Sequence, residues 1–182
     1  GVFKAKMGLI GIDLVPGLPG NIGRWESDGD GTVINWTVGA SHIRVYPDHS
    51  IIRGFEWWPS TMIDVKIDGV YYASLLSDPW GYVQFFDITK PLTPGVVVQM
   101  TDGKTTRTHT ITPMSFDLID VDNDRVEGTG VPGLVSTYAW SPGYDEEWVD
   151  TIADASGKWA TEYVMDIGPG SEIGARQFDS EG

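Results

Sequence analysis

Along much of the chain, apolar and polar residues alternate one by one. In "TVINWTV" (32–38), Ile34, Trp36 and Val38 share a face while Asn35 and Thr37 point the other way. In "IDVKIDG" (63–69), Ile63, Val65 and Ile67 alternate with Asp64, Lys66 and Asp68, and "KTTRTHTIT" (104–112) is a Thr-rich run of strand formers. A period of two with one apolar face is the pattern of a half-buried strand. The runs are separated by turn signals such as Asp28-Gly29-Asp30-Gly31, Asp68-Gly69, Asp102-Gly103 and Ser156-Gly157, all suited to positive φ. Only "DEEWVDTIAD" (145–154) approaches helical spacing, and it is expected to form a loop or a strand edge. Short strands between tight turns predict an all-β chain of antiparallel sheets stacked as sandwiches.

The pattern also repeats. "SHIRVYPDHSIIRG" (41–54) aligns without a gap on "SFDLIDVDNDRVEG" (115–128), with Ser41/Ser115, Asp48/Asp122 and Gly54/Gly128 identical. Downstream, "DPWGYVQFFDI" (78–88) matches "DASGKWATEYVMDI" (154–167), and Pro94-Gly95 matches Pro169-Gly170. A partial third copy stands near the N-terminus, where Asp13 and Pro16-Gly17 correspond to Asp87 with Pro94-Gly95 and to Asp166 with Pro169-Gly170. A fixed-order repeat of this kind marks tandem modules. The expected divisions are the back part of one module (1–47), a complete module (48–121) and the front part of another (122–182).

"DRVEGTGVPG" and "TIADASGKWATEYVMDIGPG", with their partial copies, resemble the tandem immunoglobulin-like modules of large bacterial and archaeal surface proteins. The motifs that carry the resemblance are the Gly-containing first strand, the mid-module "DASGKW" turn and the Pro-Gly turn after it. They are structural motifs and cover most of the chain. The resemblance implies stalk, adhesin or surface-layer roles and no active site.

Composition changes this picture in a few places. The net charge of −14 disfavours nucleic acid and insertion into or binding to an anionic membrane, since either partner needs a cationic surface. No run approaches the ~20 apolar residues of a membrane helix, and the N-terminal "GVFKAKMGLIGIDLVPGLPG", broken by Gly8, Gly11 and Asp13, reads as a mature strand rather than a leader. The absence of Cys excludes disulfides and thiolate metal sites. With the acidic, Thr- and Gly-rich composition, it favours an extracellular or cell-surface location. His42, His49 and His109 stand in no nucleophile motif and are expected as solvated surface residues. The sequence holds no GxSxG, HExxH or phosphate-binding loop, so no catalytic residues are assigned and an enzyme is not expected.

Two sets of residues remain as candidates. "DVDNDRVEG" (120–128) alternates Asp120, Asp122 and Asp124 and adds Glu127, but Arg125 and Val131 occupy the sixth and twelfth positions, where an EF-hand needs Gly and Glu. It is expected to be a joint between modules, either simply solvated or stiffened by calcium held on those four carboxylates, with the turn at Asp28 and Asp30 as a second candidate. Trp36, Trp80 and Trp159 are expected in or near the core. Adjacent residues of a strand face opposite ways, so one of Trp57 and Trp58 is expected to leave it, to meet a glycan, a partner or a neighbouring module.

The expected function is a non-catalytic structural module of an extracellular surface or filament-forming protein, the alternative being a carbohydrate-binding module or accessory domain of a secreted enzyme. The incomplete terminal modules admit three origins: excision from a longer chain, completion within one chain, or self-association in which copies complete each other head to tail by strand exchange.

Overall fold

The computed structural model describes residues 18–144 and 146–177, apart from the side chains of Trp36 and Thr37. The expected N-terminal strand, Asp13, Pro16-Gly17 and the side chain of Trp36 therefore lie outside the described residues. The chain is all-β. Its one helical segment among those residues is a 3₁₀ turn, Pro47–His49.

Strands β1 (Pro19–Trp25) and β2 (Gly31–Thr37) form a two-stranded antiparallel ribbon. Seven strands follow: β3 (His42–Tyr46), β4 (Ile51–Phe55), β5 (Met62–Ile67), β6 (Val70–Leu76), β7 (Val83–Phe85), β8 (Val97–Thr101) and β9 (Thr106–Thr110). They form sheets of order β3-β4-β7 and β6-β5-β8-β9. Six more complete the chain: β10 (Ser115–Asp120), β11 (Arg125–Thr129), β12 (Gly133–Trp140), β13 (Glu147–Ala153), β14 (Lys158–Glu162) and β15 (Glu172–Arg176). Their sheets have the orders β10-β11-β14 and β13-β12-β15. Strand for strand, β10 to β15 repeat the order of β3 to β8.

Alternation explains the burial within these strands. Ile63, Val65 and Ile67 on β5 are buried, with Asp64 and Lys66 only partly so. In the later set, Val126 (β11), Val135 and Ala139 (β12), Ala153 (β13) and Trp159 (β14) share one core with Tyr163, Met165 and Ile167. Residues from both sheets therefore meet in one apolar layer, which is the packing of a β-sandwich. The segment 145–154 supplies β13, a strand at a sheet edge. The ribbon departs from the expected pattern: Val33 is 45% and Ile34 62% exposed, on neighbouring positions and so on opposite faces. Among the described residues the ribbon pairs only within itself, so its alternating sequence has no second layer there against which to bury an apolar side.

The chain packs into two compact units, one running through residue 66 and including 71–88 and 100–107, the other including 67–70, 89–99 and the chain from 108 onward. The divisions expected at 47/48 and 121/122 fall in hairpin connections. Tyr46 pairs with Ile51, and Asp120 pairs with Arg125. Strands of one sheet thus stand on both sides of each division. A turn-rich polar stretch reads alike whether it links two modules or two strands, and only the pairing distinguishes them.

Candidate functional site

The aspartate-rich stretch is the β10–β11 hairpin, and its carboxylates serve separate tasks. Asp120 accepts hydrogen bonds from the Asp122 N–H (3.1 Å) and the Asn123 side-chain amide (2.8 Å), closing the turn. Asp124 adopts φ 50° and accepts the Ile167 N–H at 2.8 Å, while its carbonyl accepts the Tyr163 N–H at 2.8 Å. Glu127 is held by Arg125 at 2.8 Å, and Arg125 also reaches Glu162 at 2.9 Å. These four carboxylates do not converge. Among the described residues, no group of three or more His, Asp or Glu side chains stands close enough to hold a metal ion. Backbone N–H groups, the Asn123 amide and Arg125 are the partners of Asp120, Asp124 and Glu127 in this arrangement. At the other candidate turn, Asp28 accepts the Asp30 N–H at 3.2 Å.

A second element recurs in both sets of strands. In the 78–82 turn, the Asp78 carboxylate accepts the N–H groups of Trp80 (2.9 Å) and Tyr82 (2.8 Å), and the Gly81 N–H bonds the Asp78 carbonyl at 3.1 Å. In the 154–158 turn, Asp154 accepts from the Ser156 N–H (2.7 Å), the Ser156 hydroxyl (2.7 Å) and the Lys158 N–H (3.1 Å). The Gly157 N–H bonds the Asp154 carbonyl at 2.8 Å. The glycines have φ 80° and 84°, and a Cβ on either would meet backbone oxygen, Trp57 O at Gly81 and Gly130 O at Gly157. Each carbonyl in turn anchors the preceding loop, since Gly81 O accepts the Trp57 N–H (3.0 Å) and Gly157 O the Gly130 N–H (2.8 Å). These hydrogen bonds explain why both copies of the turn carry Asp first and Gly fourth.

The Ser156 hydroxyl, followed by the Lys158 and Ser156 N–H groups, holds the Asp154 carboxyl below the usual aspartate range. A carboxylate whose pKa falls on folding stabilises the fold above its unfolded pKa, about 4. That stabilisation is lost as pH falls through the lower folded value. The Asp154→Ala chain is therefore expected to unfold at lower urea than the parent at neutral pH, with the gap closing in acid. Urea titrations across a pH series measure the gap, and a constant gap contradicts the assignment.

The tryptophans divide by what lies beneath them. Trp57 is buried and packs over Gly54, where a Cβ would meet Trp57 Nε1 and the Met100 methyl. Trp159 is buried over Gly128, its pairing partner across β11–β14, with Phe116 edge-on at 5.6 Å. Gly54 pairs with Val83 at the corresponding place. The space that Trp159 fills from β14 is thus filled in the earlier set by Trp57, from the loop after β4. Trp58, the next residue, is 67% exposed. Trp80, expected near the core, is 83% exposed at the tip of its turn. Trp80 stands where the second copy has Ser156, a polar residue at an exposed turn position. Of the histidines, His42 is half-buried, with Nδ1 3.1 Å from Ala40 O and its ring stacked on Phe55 at 5.0 Å, whereas His49 is exposed.

No protein-family model and no curated protein matches the chain. Among solved structures, it is similar to one described as the crystal structure of a tetra-tandem repeat in the extending region of a large adhesion protein. The identity is 14% and the TM-score 0.28, over 88% of this chain and 57% of that one. The chain thus spans little more than half the length of that structure. No helix among the described residues is long and apolar enough to cross a membrane.

Proposed function

We propose that the chain is a non-catalytic structural segment of an extracellular surface or filament-forming protein, built from tandem immunoglobulin-like modules. The observation that carries this reading is the repetition in β10 to β15 of the strand order of β3 to β8, down to the Asp-x-x-Gly turn and its hydrogen bonds. A repeated sandwich extends a chain by adding units, and its stability comes from each unit's own core and turns. Stretching single molecules tests the reading. A load-bearing tandem gives discrete unfolding steps that recur from molecule to molecule, and smooth extension without steps rejects it.

The finer reading concerns self-association. Among the described residues β15 pairs only with β12, whereas its counterpart β8 pairs with β5 on one side and β9 on the other. A strand edge in this state accepts another strand, and head-to-tail addition between copies propagates. In this reading the N-terminal part of one copy supplies the strand that lies on β15 of the next. Deleting residues 1–38 removes β1 and β2 and leaves β3, which is needed by the sheet of β4 and β7. The expected result in light scattering is a fall from multiples of the chain mass to the mass of one truncated chain, and multiples that persist reject strand exchange.

A further inference from the structure

We infer that the paired loops 56–61 and 77–82 form a binding site for a neutral oligosaccharide, with Trp58 and Trp80 as its stacking surfaces. The internal repeat acts as a control for what the fold itself requires. The loop between β4 and β5 runs over 56–61, whereas its counterpart between β11 and β12 is only 130–132. The longer loop adds Trp57, which fills the core, and Trp58, which does not. The Asp78 turn is built with the same hydrogen bonds as the Asp154 turn, where Ala155 and Ser156 stand in place of Pro79 and Trp80. Neither exposed indole is needed to close its loop. Each places a large apolar face in water on one of two hydrogen-bonded loops, a surface on which a ligand with an apolar face can stack.

The two loops are fixed to one another. The Trp57 N–H bonds Gly81 O at 3.0 Å, the Ser60 N–H bonds Asp78 O at 3.3 Å, and the Ser77 N–H bonds Thr61 O at 2.9 Å. The Ser77 hydroxyl, in a side chain 2% exposed, donates to Trp58 O at 2.7 Å and accepts the Thr61 N–H at 3.1 Å. The backbones carrying both indoles are therefore set before any ligand arrives, which lowers the ordering cost of binding.

Area and charge choose the occupant. The two indoles offer on the order of 300 Å², and about 400 Å² with the neighbouring exposed Leu76, against ~800 Å² per side in a stable protein interface. That area suits a few sugar rings. A pyranose presents an apolar C–H face to an indole and hydroxyls at its rim, where the exposed Ser60 stands on the same loop. The net charge of −14 repels acidic glycans and leaves neutral ones.

Titrating the whole chain separately with cellohexaose, chitohexaose and mannohexaose, while following tryptophan fluorescence, tests the site. A saturable change with at least one of them is expected. Its Kd should rise tenfold or more in Trp58→Ala and in Trp80→Ala, whose urea midpoints should stay near that of the parent. Trp25→Ala, in β1, should bind as the parent does. No saturable response to any of the three sugars overturns the proposal, as does binding that survives in the Trp58→Ala/Trp80→Ala double variant. A concentration-dependent mass that Trp80→Ala abolishes would instead assign the surface to a second copy of the chain. The tandem-module reading, tested by stretching, stands or falls separately from this one.

Discussion

Alanine at Gly157 is expected to destabilise the chain by about 2–5 kcal/mol, the sum of a left-handed backbone penalty of about 1–2 and an overpacking cost of about 1–3. Gly157 has φ 84°, and a Cβ there would be driven into the carbonyl oxygen of Gly130. That oxygen belongs to backbone which the Gly130 N–H ties to Gly157 O, so it cannot move away without breaking the bond. Gly103 separates the two contributions. Its φ is 83°, but a Cβ there meets nothing within 4 Å, so Gly103→Ala should cost only the backbone part, about 1–2 kcal/mol. Urea unfolding of the two variants beside the parent measures both. Equal losses would show that the contact with Gly130 contributes nothing.

Truncating the buried indoles should have the largest effect of any side-chain change. Trp159→Ala and Trp57→Ala each open a cavity over a strand glycine, and loss of a buried aromatic typically costs about 3–5 kcal/mol. The glycines beneath offer no side chain to fill the space. At Gly128 the Cβ position is already crossed by the Trp159 ring and by Ser115 O, so compensation from below is blocked. Trp58→Ala, one residue from Trp57, should change stability by no more than about 0.5 kcal/mol, because its ring lies mostly in water. Calorimetry or urea titration of the three variants gives the comparison. A Trp58→Ala loss as large as that of Trp57→Ala would place the wrong indole in the core.

The candidate sites show where sequence reasoning stopped. Alternating aspartates at 120, 122 and 124 carry the spacing of a cation loop, but spacing does not reveal backbone direction. The β10–β11 turn sends the Asp124 carboxylate to the Ile167 N–H and leaves Asp120 closing the hairpin. Glu127, next on the strand, meets Arg125 instead. Similarly, strand alternation predicted that one of Trp57 and Trp58 is exposed, whereas the pair lies in the loop 56–61, where alternation does not say which ring is buried. The choice followed from Gly54, whose missing side chain makes room for one ring, a fact about a neighbouring strand.

The sequence alone determined the all-β class, because alternation and turn residues are local and a period of two admits only extended chain. It also determined the repeat, since equivalent turns need the same residues: an Asp to gather N–H groups and a Gly to take positive φ beside another backbone. Tertiary structure alone decided that the divisions at 47/48 and 121/122 fall inside hairpins, that Val33 and Ile34 on β2 are both exposed, and that Trp80 is exposed while Trp159 is covered. Each of these depends on which strands pair and which layer lies opposite. Those contacts join residues far apart in the chain, and a side chain's burial is set by such neighbours rather than by its own place in an alternating pattern.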